Sequence, residues 1–192
     1  MKRKDIAKRY VPFEPQMLNE KGQMKKANKM TFMYANVRGL KSKMSCVKDL
    51  LAETKPTVVL LTETHLPDNK GIMIDGYSFF GKAREGKTGG GVGICVANEM
   101  KAVVSPHHTQ RDIEILWISI HRPAHPPIAV GVYYGKQESV GTDEIVEEFH
   151  NLTEEILEKK ASGEVILCMD ANSKIGLMGE PVSRNGRLLK EK

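Results

Sequence analysis

Two short runs, Thr31–Ala35 (Thr-Phe-Met-Tyr-Ala) and Val58–Leu61 (Val-Val-Leu-Leu), are apolar on both strand alternations and enclose a helical repeat, and that arrangement leaves few folds open. A strand apolar on both alternations is covered on both faces. Between the runs, Met44, Val47, Leu50 and Leu51 fall on one face of a helix opened by Ser42 and stopped by Pro56. Strand, helix and strand in this order make a βαβ unit, whose strands run parallel with their carboxyl ends on the same rim. Asn36 and Glu63, at those carboxyl ends, are therefore expected to meet.

The middle of the chain changes character. Shorter runs at Tyr77–Phe80, Val92–Ala97, Ile113–Ile120 and Ile128–Tyr134, separated by Gly, Pro and charged residues, predict an antiparallel meander. A long helix follows, with Thr142 as N-cap, Asp143 and Glu144 at its positive end, and Ile145, Phe149, Leu152 and Ile156 on one face. Lys159, Lys160 and Gly163 close it. Val165–Met169 reads as another buried strand, ending in Asp170-Ala-Asn172. The class is α/β.

At 192 residues the chain suits one domain with a sizeable core. No apolar run approaches the roughly 20 residues that span a bilayer, and no apolar stretch follows the basic Met1-Lys-Arg-Lys start as a secretory signal would require. The expectation is a chain without membrane or secretory character, nuclear or cytoplasmic. Cys46, Cys95 and Cys168 are odd in number and widely spaced, which suits reduced thiols. The net charge of +5 is concentrated at the start: residues 1–28 hold eight Lys or Arg against three Asp or Glu, leaving 21 of each in the remainder. Residues 1–28 are read as a basic leader of disordered composition, and 29–192 as the folded part.

An acid at a strand end is usually a polar residue meeting solvent. Here each of three apolar strands ends in carboxylate or carboxamide oxygens, hard donors suited to a hydrated magnesium ion that completes its shell with water and phosphate oxygens. In open α/β sheets such ligands sit beyond the carboxyl ends of strands. Two rival patterns fail. Gly81-Lys-Ala-Arg-Glu-Gly-Lys-Thr88 matches a phosphate loop as a string, but Gly89, Gly90, Gly91 and Gly93 follow where a helix N-terminus is needed. Lys82–Gly91 is read instead as a mobile hairpin connection, whose Arg84 and Lys87 would be backbone contacts if the substrate is DNA. Asp170-Ala-Asn172-Ser-Lys174-Ile-Gly176 begins like a calcium loop, but Lys174 occupies a ligand position and the glycine comes one place late.

The segments Asn36-Val-Arg-Gly-Leu40, Leu61-Thr-Glu-Thr-His-Leu66, Gly89-Gly-Gly-Val-Gly-Ile94, Ile115-Leu-Trp-Ile118, Val132-Tyr-Tyr134 and Met169-Asp-Ala-Asn172 occur in the order of the endonuclease/exonuclease/phosphatase superfamily. From about Met30 onward the chain resembles its apurinic-type endonucleases of non-LTR retrotransposons. The resemblance implies a four-layer α/β sandwich of the DNase I-like type, incomplete at its C-terminus. It implies a Mg2+ ion, with Mn2+ as the alternative, held by Glu63 with Asn36, a water oriented or deprotonated by Asp170, and a phosphate steadied by Asn172 and a tyrosine. Tyr133 aligns better with the family position, and Tyr134 faces the other way. The implied substrate is DNA, nicked before reverse transcription by a polymerase in cis in the intact element. A phosphatase of the same fold, or a non-catalytic nucleic-acid-binding remnant, are the alternatives. The family's closing Ser-Asp-His segment does not occur in this sequence, and the resemblance therefore implies an impaired or inactive fragment with exposed apolar surface and an open sheet edge. His65, His107, His108, His121, His125 and His150 all precede Asp170, so none replaces it residue for residue.

Overall fold

The computed structural model describes residues 10–11, 30–68, 71–84, 89–106, 113–122, 125–136 and 142–172. Lys87, His107, His108 and the segment after Asn172 lie outside the described residues. The elements are β1 (Tyr10–Val11), β2 (Phe32–Asn36), α1 (Leu40–Thr54), β3 (Val58–Thr62), β4 (Tyr77–Lys82), β5 (Val92–Ala97), β6 (Lys101–Ser105), β7 (Ile115–Arg122), β8 (His125–Tyr134), α2 (Thr142–Ala161) and β9 (Glu164–Asp170).

The βαβ unit forms as its pattern dictates. β2 and β3 pair in parallel, with Asn36 opposite Thr62. Helix α1 starts at Leu40, two residues before Ser42. The Ser42 hydroxyl donates to the Gly39 carbonyl at 3.0 Å, and the helix stops at Lys55, in the left-handed region one residue before Pro56. In α2, Asp143 and Glu144 occupy the first turn and Lys159 and Lys160 the last, matching the helix dipole at both ends.

The expected single meander is split between two sheets. One has the order β1-β2-β3-β5-β4 and the other β6-β7-β8-β9. The β4–β5 hairpin joins the βαβ unit because β5 pairs antiparallel with β3. The true meander is β6-β7-β8, and β9 runs parallel to β8. Tyr10–Val11, inside the segment read as a leader, adds a short antiparallel strand beside β2. The phosphate-loop string is followed by strand β5 rather than a helix.

Strand alternation explains the layering. Val58, Leu60, Val92, Ile94 and Val96 face Leu116, Ile118, Ile120, Val130 and Val132 in a core between the sheets. The opposite alternation, Met33, Ala35, Val59, Leu61 and Cys95, packs under Leu40, Val47 and Leu51 of α1. On the far side, Ile115, Trp117 and Tyr133 pack against Leu152 of α2. The result is a four-layer α/β/β/α sandwich. Each fully buried aliphatic side chain contributes about 1.5–3 kcal/mol, so the central layer dominates stability. Among the described residues β9 pairs only with β8, and its Met169 is 47% exposed.

Candidate active site

At the carboxyl ends of β2 and β3 the chain stays zipped together after the strands stop. Val37, Gly39 and Leu40 N–H donate to the carbonyls of Thr62, Glu63 and Thr64 at 3.0, 2.8 and 2.9 Å. Thr64 and His65 N–H donate in turn to Gly91 and Gly90 at 3.0 and 2.8 Å. Three segments, 36–40, 62–66 and 89–91, thus form one backbone-bonded rim. Glu63 and His65 hold left-handed φ angles of 54° and 51°, which side chains tolerate only where the surroundings over-determine them. A Cβ at Gly91 would lie 2.5 Å from the Thr64 hydroxyl, so only glycine fits this close approach.

The second sheet supplies the rest. Asn36 Nδ2 donates to Glu63 Oε1 at 2.7 Å and to Asp170 Oδ2 at 3.0 Å. One amide thereby bridges a carboxylate on each sheet across 134 positions of sequence. Asp170 Oδ1 accepts the Asn172 backbone N–H at 3.2 Å. The rim expected along one sheet is therefore a junction of two, because the sheets stack with β2, β3 and β9 ending at the same end of the sandwich.

The tyrosines divide by alternation. Tyr134 reaches the cluster and donates its hydroxyl to Glu63 Oε1 at 3.1 Å. Tyr133, expected to align better, lies on the opposite face of β8, fully buried with Trp117 and Leu152. Burial, with the charge of Glu148 nearby, pushes its phenol well above the ordinary range, so it stays protonated. Asn172 sits beside Asp170, but its side-chain N–H donates to the Gly135 carbonyl at 2.7 Å, which spends one amide hydrogen on the fold. Among the histidines, His65 places Nε2 3.7 Å from Glu63 Oε2, against Gly39 and Gly89. His150 pairs along α2 with Glu154 at 3.3 Å.

Sequence reasoning did not find two residues that shape this site. Glu114, just before β7, accepts hydrogen bonds from Arg84 Nε and the Gly91 backbone N–H. Burial raises its pKa, and Arg84 beside it works against that rise. Gly135 donates its N–H to the Asp170 carbonyl at 2.8 Å, and a Cβ there would lie 2.7 Å from the Ala171 carbonyl oxygen. The only signals in the sequence were an acid near the start of an apolar run and a glycine after one, both too common to single out.

The donor set suits a hard cation. Asn36 Oδ1 is buried without a hydrogen-bond partner, beside two carboxylates. Among the described residues no three His, Cys, Asp or Glu side chains form a metal-ligating group. The Glu63 carboxylate and the Asn36 amide oxygen, with the Asp170 carboxylate beside them, are the sparse kind of set that a largely hydrated divalent ion accepts.

Among solved structures, the chain is similar to ANGEL2, a 2′,3′-cyclic phosphatase (TM-score 0.59, 18% identity, covering 76% of this chain and 53% of that one). It is similar to the 3′-5′ exonuclease NExo of Neisseria meningitidis (TM-score 0.57, 20% identity, 79% and 59%). It also resembles the AP endonuclease LMAP of Leishmania major (TM-score 0.55, 21% identity, 83% and 55%). At these identities the likeness carries the fold alone, and the chain spans just over half the length of each. No curated protein matches the sequence. A family model matches residues 33–163, which hold Asn36, Glu63 and Tyr134, and on that match the chain belongs to the Endonuclease/Exonuclease/phosphatase family.

Proposed function

We propose that the chain is the magnesium-dependent, DNA-nicking endonuclease domain of a non-LTR retrotransposon, the branch whose motif order it resembles. The observation that carries a phosphodiesterase reading is the hydrogen-bonded convergence of Asn36, Glu63, Tyr134 and Asp170 from both sheets. Glu63 and the orphaned oxygen of Asn36 would hold the ion. When bound, Mg2+ supplies Lewis-acid stabilisation of the developing charge on phosphate and leaving oxygens.

The chain's own groups do the rest. Asp170, fixed by Asn36 and by the Asn172 N–H, orients the attacking water and takes its proton. Tyr134 holds Glu63 in place through its hydroxyl. The remaining Asn172 amide hydrogen steadies the phosphate. No helix among the described residues is long and apolar enough to cross a membrane.

Two readouts test the reading. Glu63→Ala should weaken Mn2+ binding, followed by electron paramagnetic resonance, by about tenfold or more. Asp170→Asn should leave Mn2+ bound while reducing the nicking of supercoiled plasmid by about 10²-fold or more. Undiminished metal affinity in the first variant, or full nicking in the second, would sink the assignment. A panel of supercoiled plasmid, abasic duplex and inositol phosphates separates the endonuclease from a phosphatase on the same fold.

A further inference from the structure

Arg84 follows β4 and points back into the protein rather than out to solvent, with only 22% of its side chain exposed. It is held on three sides. Its Nε donates to Glu114 Oε2 at 2.5 Å, and the other oxygen of Glu114 takes the Gly91 N–H. Its guanidinium carbon lies 5.0 Å from the centre of the Tyr134 ring. A Cβ at Gly90 would come within 2.4 Å of its Nε, so this glycine is what admits the guanidinium. Among the described residues, no hydrogen bond is made by Nη1 or Nη2.

A largely buried Arg–Glu pair is a poor device for stability, because desolvation consumes most of the Coulomb gain. Its position says more. The ring under the guanidinium is the one whose hydroxyl touches Glu63. Glu63 and Asp170 give the site two carboxylates that repel a phosphate, and a fixed guanidinium offsets them. An arginine whose Nε edge is spent still offers the fork of its two Nη groups, which matches phosphate oxygens in plane.

We propose that Arg84 is a fixed phosphate-binding residue of this site, oriented by Glu114 and stacked on Tyr134, taking a non-bridging oxygen of a substrate phosphodiester. It is thus a pre-set clamp rather than a swinging loop contact. The inference rests on the phosphodiester reading above, and the test separates the two.

The measurement is fluorescence anisotropy of a labelled 20-base-pair duplex with the full chain in EDTA, where no cleavage occurs, between about 50 and 200 mM KCl. Arg84→Met should weaken binding about tenfold and make the log–log salt slope shallower by about 1, the signature of one lost phosphate contact. Arg84→Lys keeps the charge but not the fork, so it should recover the slope and only part of the affinity. If Arg84→Met binds with wild-type affinity and slope while its melting temperature falls, Arg84 is structural and the proposal is overturned. Should Arg84→Met not fold, Arg84→Lys decides: about threefold weaker binding at wild-type slope supports the clamp, and undiminished affinity refutes it. Wild-type protein that binds neither duplex nor inorganic phosphate would instead overturn the phosphodiester reading itself, and the clamp with it.

Discussion

Glu63 and Asp170 are bridged by a single amide, yet the ground under each is different. Glu63 directly follows β3, the middle strand of its sheet, whose five residues are all buried. The loop carrying it is bonded on both sides, to 37–40 and to 90–91. Asp170 stands at the end of β9, an edge strand among the described residues, with most positions only partly buried. Its loop depends on contacts with Gly135 and on its own carboxylate. The first half of the site is held by backbone hydrogen bonds on both sides, the second by hydrogen bonds to Gly135 at the end of one neighbouring strand. The lesson is that damage to the first half should spread into the fold, whereas damage to the second should stay local and cost function.

The strongest test of that contrast is Gly91→Ala. A methyl group there meets the buried Thr64 hydroxyl at 2.5 Å, and φ is 84°, so overpacking and left-handed strain add. Together these should cost about 2–4 kcal/mol in denaturant unfolding. A loss below about 1 kcal/mol would show that the first half is softer than its hydrogen bonds imply.

Gly135→Ala comes next. The added methyl meets the Ala171 carbonyl at 2.7 Å, but an edge strand can shift, so stability should fall by only about 1–2 kcal/mol. Nicking should fall further in proportion, by about 10–100-fold, because Asp170 and Asn172 move with the strand. Equal proportional losses of stability and activity would erase the distinction between the halves.

The smallest effect uses two of the protein's three thiols, one on each sheet. Cys95 lies on β5, and burial pushes its pKa up to about 12. At pH 8 the Cys95 thiol is then almost wholly protonated, and the thiolate is the reactive form. Cys168 on β9 is also raised by burial but is only partly covered. With Cys46 replaced by Ser, an aromatic disulfide reagent at pH 8 should label Cys168 through local opening well before Cys95. Simultaneous labelling would mean that β9 opens only when the whole fold does.

Much of this architecture could be read before any coordinates. The βαβ unit is written in contiguous residues, and parallel pairing then places Asn36 and Glu63 side by side. Helix α2 carries its dipole-matched ends in its own sequence. The partition of the central strands could not be read, since the β4–β5 hairpin, which joins β3 through β5, is built of runs as short and apolar as those of the other sheet. Strand β6, with Val103 and Val104 exposed, carries no alternation that distinguishes it from a turn.

The tyrosine pair marks the boundary most clearly. Period-two alternation dictates that Tyr133 and Tyr134 point to opposite faces. Which face is which depends on packing: Ala129, Gly131 and Tyr133 face α2, where a Cβ at Gly131 would fall 2.4 Å from the Trp117 ring, so Tyr134 is left for the site. Local sequence settled β2, β3 and β9, the helix α1 between the first two of these, and the polar residues at their ends, because apolar periodicity and caps act over a few residues. Stacking of the two sheets settled that Asp170 meets Asn36, that Tyr134 meets Glu63, and that Arg84 turns inward onto Glu114. Such contacts join residues 30 to 134 positions apart, and their free energy comes from burial that exists only once both sheets are in place.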